Sequence, residues 1–217
     1  MVYFGKIEKV SEVVSYTKGF MRSLIHPTAL VAEDVYLGSG TQIWANTQVR
    51  EGARLGKNCI VGKDVYIGPR VEIGDNCKIQ NGALLYEPTV LSAGVFVGPG
   101  VIFTNDHNPR AINPDKSQKS TRDWTQVGVV VGEGASIGAG VVCIAPIEIG
   151  NWAVIGAGSV VTKSVQNYSL SIGSPARQVG WVGRAGYRLI EHVSHFTCPN
   201  TGARYVLSVA GMEHVSE

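Results

Sequence analysis

Charged residues are scarce in this 217-residue chain: they make up 17% of it, and the formal net charge is only +2. No basic face and no long run of like charge occurs, which argues against a nucleic-acid-binding protein. No window approaches the roughly 18 apolar residues of a membrane span, and the first 24 residues lack the apolar core of a signal peptide. The sequence therefore predicts a cytoplasmic protein with no nucleic-acid or membrane partner.

Cysteine is also infrequent, with four residues and no CxxC pair. Cys59 and Cys77 stand eighteen positions apart, a spacing that recurs below. Without paired motifs or a secretory context, we expect the cysteines to be small buried residues in a reduced compartment.

What the chain does contain is a strict six-residue period. From Ile25 to Phe103, fourteen successive sixth residues are all apolar, and the period resumes from Val131 to Val161. Four positions further into each hexad the residue is small, except at His107. Gly, Asp and Asn recur between these positions, as in "LGSGTQ", "VGKDVY" and "IGDNCK". The two frames are not separated by a multiple of six, so a loop with a frame break lies at about 108–130.

A period of six fits neither an α-helix nor one long alternating strand. It is typical of a solenoid of short strands and tight turns, in which three hexads close a triangular coil of eighteen residues. Twenty hexads give between six and seven coils, which stack about 4.8 Å apart. We expect an N-terminal cap at 1–24 that includes a short helix around Val10–Tyr16. The solenoid would then span 25–166, and 167–217 would form a C-terminal cap and hairpin.

His107 stands where the period stops. An imidazole is too large for the inward column of small residues, and burying it unpaired would cost about 1–3 kcal/mol. We therefore expect the backbone to leave the coil near Asn105 and to place His107 outside, at the root of a polar loop. Loops on rigid scaffolds are common places for function.

Polar residues accumulate beside this loop root. Glu87 and Asn105 are eighteen positions apart and should stack in neighbouring coils, with Asp106 and His107 next along the chain. Asn81 occupies the equivalent turn one hexad before Glu87. We predict one polar cluster of these five residues, although Asn and Asp are also ordinary turn formers.

The hexad pattern over residues 25–180 strongly resembles the hexapeptide-repeat acyltransferase superfamily. The resemblance implies an all-β fold, a left-handed parallel β-helix with an extended loop and short terminal caps. This hand departs from the usual right-handed crossover. It also implies a homotrimer with three active sites at the interfaces between subunits.

Two branches of the superfamily match the loop root. The run Thr104-Asn105-Asp106-His107 is similar to the "T-x-x-H" of galactoside and maltose O-acetyltransferases, in which the histidine is the general base. The longer stretch "KIQNGALLYEPTVLSAGVFVGPGVIFTNDHNPRA" resembles nucleotide-sugar N-acetyltransferases that act on UDP- or dTDP-linked 3-amino sugars. So do "GEGASIGAG", "IGAGSVVTKSV", "GSPARQVGWV" and "CPNTGARY".

The second resemblance implies roles for individual residues. Asn81 would hold the sugar amine, and His107 would accept its proton or contact the sugar. Glu87 and Asp106 would orient these groups. The predicted substrate contacts are Tyr86, Glu87, Asn105, Asp106 and Arg110.

A basic segment near the C-terminus suggests a cofactor. No acidic residue lies between Glu148 and Glu191, whereas the segment contains Lys163, Arg177, Arg184 and Arg188. Such a strip suits the phosphates of coenzyme A, although a solvated surface would look the same. The resemblance implies acetyl-CoA along the later coils, with contacts at Ala139, Ala157, Lys163, Pro175 and Arg177.

Metal chemistry is a weaker alternative. The γ-class carbonic anhydrases share the β-helix but need three histidines, and the coils offer His26 and His107 alone. His192, His195 and Cys198 have metal-like spacing but lack a fourth ligand, and "FTCPNTGARYVL" predicts a hairpin. We therefore expect no metal.

The sequence favours an acetyl-CoA-dependent N-acetyltransferase of a nucleotide-linked amino sugar, in the biosynthesis of a surface glycan such as lipopolysaccharide. Two alternatives stay open. One is an O-acetyltransferase of a free sugar or small alcohol with His107 as base, and the other is a β-helix scaffold without catalysis.

Overall fold

The computed structural model describes residues 23–209 and 211–215. Within these ranges the regular secondary structure consists of strands alone, most of them two residues long. Tight turns follow the strands, and residues eighteen positions apart pair in parallel, as Gln42 pairs with Ile60. The chain therefore winds as a parallel β-helix with three strands per coil, consistent with the predicted left-handed β-helix.

The solenoid has three parallel sheets, one on each side of a triangle. Sheet 1 contains Leu24–Ile25, Gln42–Ile43, Ile60–Val61, Lys78–Ile79, Phe96–Val97, Ser136–Ile137, Val154–Ile155 and Ser169–Ile172, with Arg177–Trp181 added antiparallel. Sheet 2 contains Leu30–Val31, Gln48–Val49, Tyr66–Ile67, Leu84–Leu85, Ile102–Phe103, Val142–Cys143 and Val160–Val161. Sheet 3 contains Tyr36–Leu37, Arg54–Leu55, Glu72–Ile73, Val90–Leu91, Val129–Val131 and Ile147–Ile149.

The core lies along the axis of the triangle. The large apolar position of each hexad is buried from Ile43 to Phe103 and again from Val131, and the small position is buried from Thr41 to Val101. Cys59 and Cys77 are free, fully buried neighbours in the small column, as expected for packing residues. The six-residue period thus selects which side chains fill the interior.

The predicted loop interrupts one coil. Val97 pairs with Ile137, forty positions later instead of eighteen, so 22 residues are inserted there. The insertion runs between Phe103 and Val129, at the corner where the chain passes from sheet 2 to sheet 3. A short bridge between Ile112 and Gln118 folds the loop on itself.

The stack is longer than the predicted six to seven coils, because sheet 1 contains eight parallel strands. The additional strand, Ser169–Ile172, points two serines inward, and the hydroxyls of Ser169 and Ser171 lie 2.9 Å apart. These small polar residues satisfy each other in the interior. The apolar hexad pattern does not reveal this strand, because its inward side chains are polar.

The C-terminal segment forms a separate antiparallel sheet of Ile190–Glu191, Phe196–Thr197, Arg204–Ser208 and Gly211–Val215. The predicted hairpin is present, and the N–H of Gly202 donates to the carbonyl of Cys198 at 2.9 Å to close its turn. A second small core forms here around buried Tyr205, whose ring meets that of Tyr168 edge-on at 5.4 Å.

The expected N-terminal cap and its helix around Val10–Tyr16 lie outside the described residues. A membrane-spanning helix, judged by length and hydropathy, does not occur in residues 23–209 and 211–215.

Candidate active site

Two rows of turns border sheet 2. We call the turns that join sheet 1 to sheet 2 corner 1–2, and those that join sheet 2 to sheet 3 corner 2–3. Asn81 follows the strand Lys78–Ile79 and lies in corner 1–2, whereas Glu87 and Asn105 follow strands of sheet 2 and lie in corner 2–3. The prediction of a single cluster within one chain was therefore wrong for Asn81. Six residues advance the chain by one corner, and only eighteen return it to the same one.

Corner 2–3 holds a half-buried carboxylate. One oxygen of Glu87, Oε1, accepts a hydrogen bond from Nε2 of Gln126 at 3.1 Å. The other, Oε2, is buried and has no hydrogen-bond partner among the described residues. Above it, the N–H of Val127 donates to the carbonyl of Asn105 at 3.0 Å and closes the root of the loop. Oε2 is thus a buried acceptor without the partner that such atoms usually have.

His107 is exposed at this loop root, as the frame break predicted. Its Nδ1 lies 3.3 Å from the carbonyl oxygen of Ala145, in the next coil. The N–H of Ala145 in turn donates to Oγ1 of Thr104 at 3.0 Å. Because a carbonyl oxygen only accepts, this contact requires the proton on Nδ1 and leaves Nε2 as a proton acceptor.

The residues beside His107 shape the loop. Oδ1 of Asp106 accepts a hydrogen bond from the N–H of Asn108 at 2.8 Å, and Nη1 of Arg110 donates to the carbonyl of Pro109 at 2.9 Å. The expectation that Asp106 orients His107 therefore needs correction, since the contact that orients the ring comes from Ala145. Arg110 is exposed at the loop surface, where a ligand could reach it.

An aromatic pair lies beneath the loop root. The rings of Tyr66 and Tyr86 are 5.1 Å apart and tilted by 46°, and Tyr86 is exposed. Burial, followed by the nearby charge of Glu87, raises the pKa of Tyr66 above its ordinary value. The pair gives this corner an aromatic floor.

Asn81 has a structural contact of its own. Its Oδ1 accepts a hydrogen bond from the N–H of Lys63, eighteen residues earlier, at 3.0 Å. Asp75 accepts the same bond from Lys57 at 2.7 Å, and Asn151 accepts it from Glu133 at 2.8 Å. The side-chain oxygen of Asn81 therefore belongs to a recurrent device that links turns of neighbouring coils.

This device predicts matched effects on stability. Asn81→Ala and Asn151→Ala should each lower the free energy of unfolding by about 1 kcal/mol, because each removes one hydrogen bond of the same kind. Asn81→Asp should retain most of the stability, since Asp75 already makes the bond with a carboxylate. Urea unfolding of the three variants measures this. A loss of stability in Asn81→Asp as large as that in Asn81→Ala would contradict the structural role of the Asn81 side-chain oxygen.

Two of the predicted cofactor contacts share a corner with Asn81. Ala139 follows Ser136–Ile137 and Ala157 follows Val154–Ile155, so both lie in corner 1–2 of later coils, and both are exposed. Small side chains at these positions leave the backbone of the turns open to a ligand.

The predicted basic contacts to the cofactor, Lys163 and Arg177, lie at other positions than Ala139 and Ala157. Lys163 follows the last strand of sheet 2 in corner 2–3, and it lines a cavity of about 350 Å³ together with Arg177. Pro175 is exposed next to this cavity, and the N–H of Ala176 donates to the carbonyl of Val160 at 2.8 Å. The structure thus brings Lys163 and Arg177 to one cavity. Arg177 pairs with Ile172, which packs against Gly156, the residue before Ala157.

The other two cations of the basic segment have internal partners. The guanidinium of Arg184 lies 5.5 Å from the ring centre of Trp152, and a hydrogen bond with Tyr168 raises its pKa. Nη2 of Arg188 donates to the carbonyl of Val179 at 2.8 Å. Arg177 has a contact of the same kind, since its Nη1 donates to the carbonyl of Ala176 at 2.9 Å.

The histidines of the C-terminal hairpin pair with each other. The rings of His192 and His195 stack at 4.7 Å, and Cys198 is buried. In the part of the chain that the structure describes, no three His, Cys, Asp or Glu side chains are grouped to hold a metal ion.

The outer face of sheet 2 lies between the two corners. Its outward side chains carry no charge and are mostly apolar: Leu30, Gln48, Tyr66, Leu84, Ile102, Val142 and Val160. Sheet 3 instead presents charged residues, including Arg54, Glu72 and Glu148. A continuous uncharged face of this kind is suited to contact with another protein surface.

Comparison with known families agrees with the repeat. Residues 52–87 match the family described as bacterial transferase hexapeptide (six repeats), and residues 128–163 match the hexapeptide repeat of succinyl-transferase.

Similarity to individual proteins is local. Over 76 residues the chain is 41% identical to the dTDP-3-amino-3,6-dideoxy-alpha-D-galactopyranose 3-N-acetyltransferase of Aneurinibacillus thermoaerophilus, covering 35% of this chain and 39% of that protein. Over 43 residues it is 51% identical to the bifunctional protein GlmU of Pseudoalteromonas atlantica, covering 20% of this chain and 10% of that one. The matched segments thus span well under half of these relatives.

The solved structure of a hexapeptide transferase family protein from Anaplasma phagocytophilum aligns with this chain. The alignment covers 76% of this chain and 82% of the Anaplasma chain. The sequence identity is 17% and the TM-score is 0.48.

Proposed function

Because the chain belongs to the hexapeptide-repeat acyltransferase superfamily, we propose that it transfers the acetyl group of acetyl-CoA to a nucleotide-linked amino sugar. The acceptor is the 3-amino group of a UDP- or dTDP-linked sugar. The relative from Aneurinibacillus, a 3-N-acetyltransferase of a dTDP-linked 3-amino sugar, supports this acceptor. The observation that carries the proposal is His107 at the loop root, with Nδ1 directed at the Ala145 carbonyl and Nε2 left to accept a proton.

The proposal includes a homotrimer. If three copies turn their uncharged sheet-2 faces toward one three-fold axis, corner 1–2 of each copy meets corner 2–3 of the next. This arrangement brings Asn81 of one copy to Glu87 and His107 of its neighbour. It explains why residues that the sequence assigned to one site lie at two corners of the isolated chain.

The same arrangement assembles the cofactor site. Ala139 and Ala157 of one copy then face corner 2–3 of the neighbour, which holds Lys163, and Arg177 lines the cavity beside Lys163. The two cations, together with the exposed turn at Pro175, suit the phosphates of acetyl-CoA. The turns at the two alanines suit its extended pantetheine arm, because backbone groups there are not covered by side chains.

The chemistry follows from these positions. Acetyl-CoA supplies the acetyl group as a thioester, so a nitrogen–carbon bond forms at the acceptor amine while the carbon–sulfur bond breaks. The carboxamide of Asn81 holds the amine by hydrogen bonding. Nε2 of His107 accepts the proton that the amine loses, while Ala145 keeps the ring in place. Tyr86, Glu87, Asn105, Asp106 and Arg110 lie around His107 and would contact the sugar.

The setting we propose is the cytoplasm, as the sequence predicts, in the assembly of a surface glycan.

O-acetylation is the second candidate function. The specific observation in its favour is the free Nε2 of His107, because a hydroxyl needs a base even more than an amine does.

Thiol release from acetyl-CoA against an acceptor panel tests the proposal. The panel contains dTDP- and UDP-linked 3-amino sugars, a 4-amino sugar nucleotide, a free galactoside and serine. We expect release with a 3-amino sugar nucleotide and background rates with the galactoside and serine. Turnover of the galactoside alone would establish the O-acetyltransferase instead. Silence with every acceptor, together with no binding of CoA, would overturn the proposal in favour of a scaffold.

A further inference from the structure

Thr104 and His107 both contact one residue of the next coil. Oγ1 of Thr104 accepts a hydrogen bond from the N–H of Ala145 at 3.0 Å, and Nδ1 of His107 lies 3.3 Å from the carbonyl oxygen of Ala145. Ala145 is fully buried, whereas Thr104 is half-buried and His107 is exposed. Both polar groups of this buried backbone residue are therefore held by side chains that come from the same short stretch of the preceding coil.

The N–H of Ala145 is satisfied differently from the equivalent N–H groups of other corners. Ala145 is the second residue after a strand of sheet 2. At the same position in corner 1–2, the N–H of Lys63 donates to Oδ1 of Asn81 in the following coil at 3.0 Å. The residue eighteen positions after Ala145 is Lys163, whose ammonium group cannot accept a hydrogen bond. Thr104, in the preceding coil, provides the acceptor instead.

The Thr104 hydroxyl thus affects the aim of the Ala145 carbonyl. Without the hydroxyl, the buried N–H of Ala145 loses its acceptor, which carries the penalty of an unmade hydrogen bond. A rotation of the backbone at Ala145 relieves this penalty and displaces the carbonyl of the same residue. The contact with Nδ1 of His107 is already long, so such a displacement breaks it. Because that contact determines which ring nitrogen carries the proton, Nε2 is then no longer kept free.

We propose that Thr104 is a positioning residue: through Ala145, its hydroxyl holds the ring of His107 in the tautomer whose Nε2 accepts a proton. The inference rests on the proposed function, in which His107 is the base. Since Thr104 acts through another residue and contacts neither substrate nor cofactor in this account, its removal should affect the chemical step and not binding.

The kinetics of two Thr104 variants test this role. Thr104→Val removes the hydroxyl and keeps the branched side chain, whereas Thr104→Ser keeps the hydroxyl. We expect Thr104→Val to lower kcat by about tenfold, less than His107→Ala does, because part of the ring population retains the productive tautomer. The KM values for acetyl-CoA and the sugar nucleotide should stay within about twofold, and Thr104→Ser should retain most of the rate. In a His107→Ala background, Thr104→Val should lower kcat no further, since its effect passes through the ring.

NMR spectroscopy of the full chain with isotope-labelled histidine observes the ring directly and requires no turnover. In the wild type we expect the proton of the neutral His107 ring on Nδ1, and Thr104→Val should shift the population toward the form with the proton on Nε2. The matched control is Thr41→Val, because Oγ1 of Thr41 accepts the N–H of Cys59 at the same distance, 3.0 Å, in an N-terminal coil. This control should lower stability but leave kcat and the His107 ring signals unchanged.

Three results would overturn the inference: an unchanged ring tautomer in Thr104→Val, a loss of kcat in the His107→Ala background as large as in the wild type, or a Thr104→Ser variant as slow as Thr104→Val. If Thr104→Val does not fold, Thr104→Ala removes the same hydroxyl and is measured in the same way. A tautomer shift in a protein that acetylates no acceptor would retain the positioning role and reject the proposed function. Acetyl transfer with wild-type kcat in Thr104→Val would retain the function and reject the positioning role.

Discussion

Replacement of His107 by alanine is expected to lower kcat by about a hundredfold or more and to leave the KM for acetyl-CoA within about twofold. The variant removes the Nε2 acceptor from the loop root, and the predicted cofactor contacts do not include this side chain. The hydrogen bond to the Ala145 carbonyl is long, at 3.3 Å, and the side chain is exposed. The fold should therefore tolerate the change, so the rate loss reports chemistry.

His107→Asn separates a proton acceptor from a substrate contact. An asparagine amide can still donate a hydrogen bond at this position but cannot take up a proton, so we expect it to be as slow as alanine. Added imidazole should restore part of the rate of His107→Ala. The control is His192→Ala, an exposed histidine in the C-terminal hairpin, which should be fully active. A His107→Asn variant with wild-type kcat would assign His107 to substrate contact alone.

The fold was predictable because the six-residue period determines both the turns and the core. Each hexad places one large and one small residue inside, and the column from Ile43 to Phe103 is buried as the period required. The frame break likewise located the loop. The extra strand Ser169–Ile172 was missed because its inward side chains are serines that hydrogen-bond to each other. An apolar pattern does not register such a pair.

The site was less predictable because its geometry depends on contacts between residues that are far apart in the sequence, and no local motif indicates them. The partner that orients His107 is a backbone carbonyl 38 residues away, and the partner of Glu87 is Gln126, 39 residues away across the loop. No spacing rule applies to either, since the inserted loop breaks the eighteen-residue register. The placement of Asn81 was within reach of that register, because a difference of six residues from Glu87 already implies a different corner.

The proposed active site is shared between two copies of the chain, and complementation between variants tests this sharing most directly. Chains with Asn81→Ala and chains with His107→Ala are co-expressed in equal amounts, and mixed trimers are assayed for thiol release with the best acceptor. Each variant alone should be nearly inactive. In a mixed trimer, one of the three interfaces combines an intact Asn81 with an intact His107.

We predict about a quarter of the wild-type activity, since about three quarters of random trimers are mixed and each has one intact site in three. Mixing the two purified variants without subunit exchange should give no gain. Activity of the co-expressed chains that stays at the level of the separate variants would contradict the shared site and would place Asn81 and His107 in independent roles.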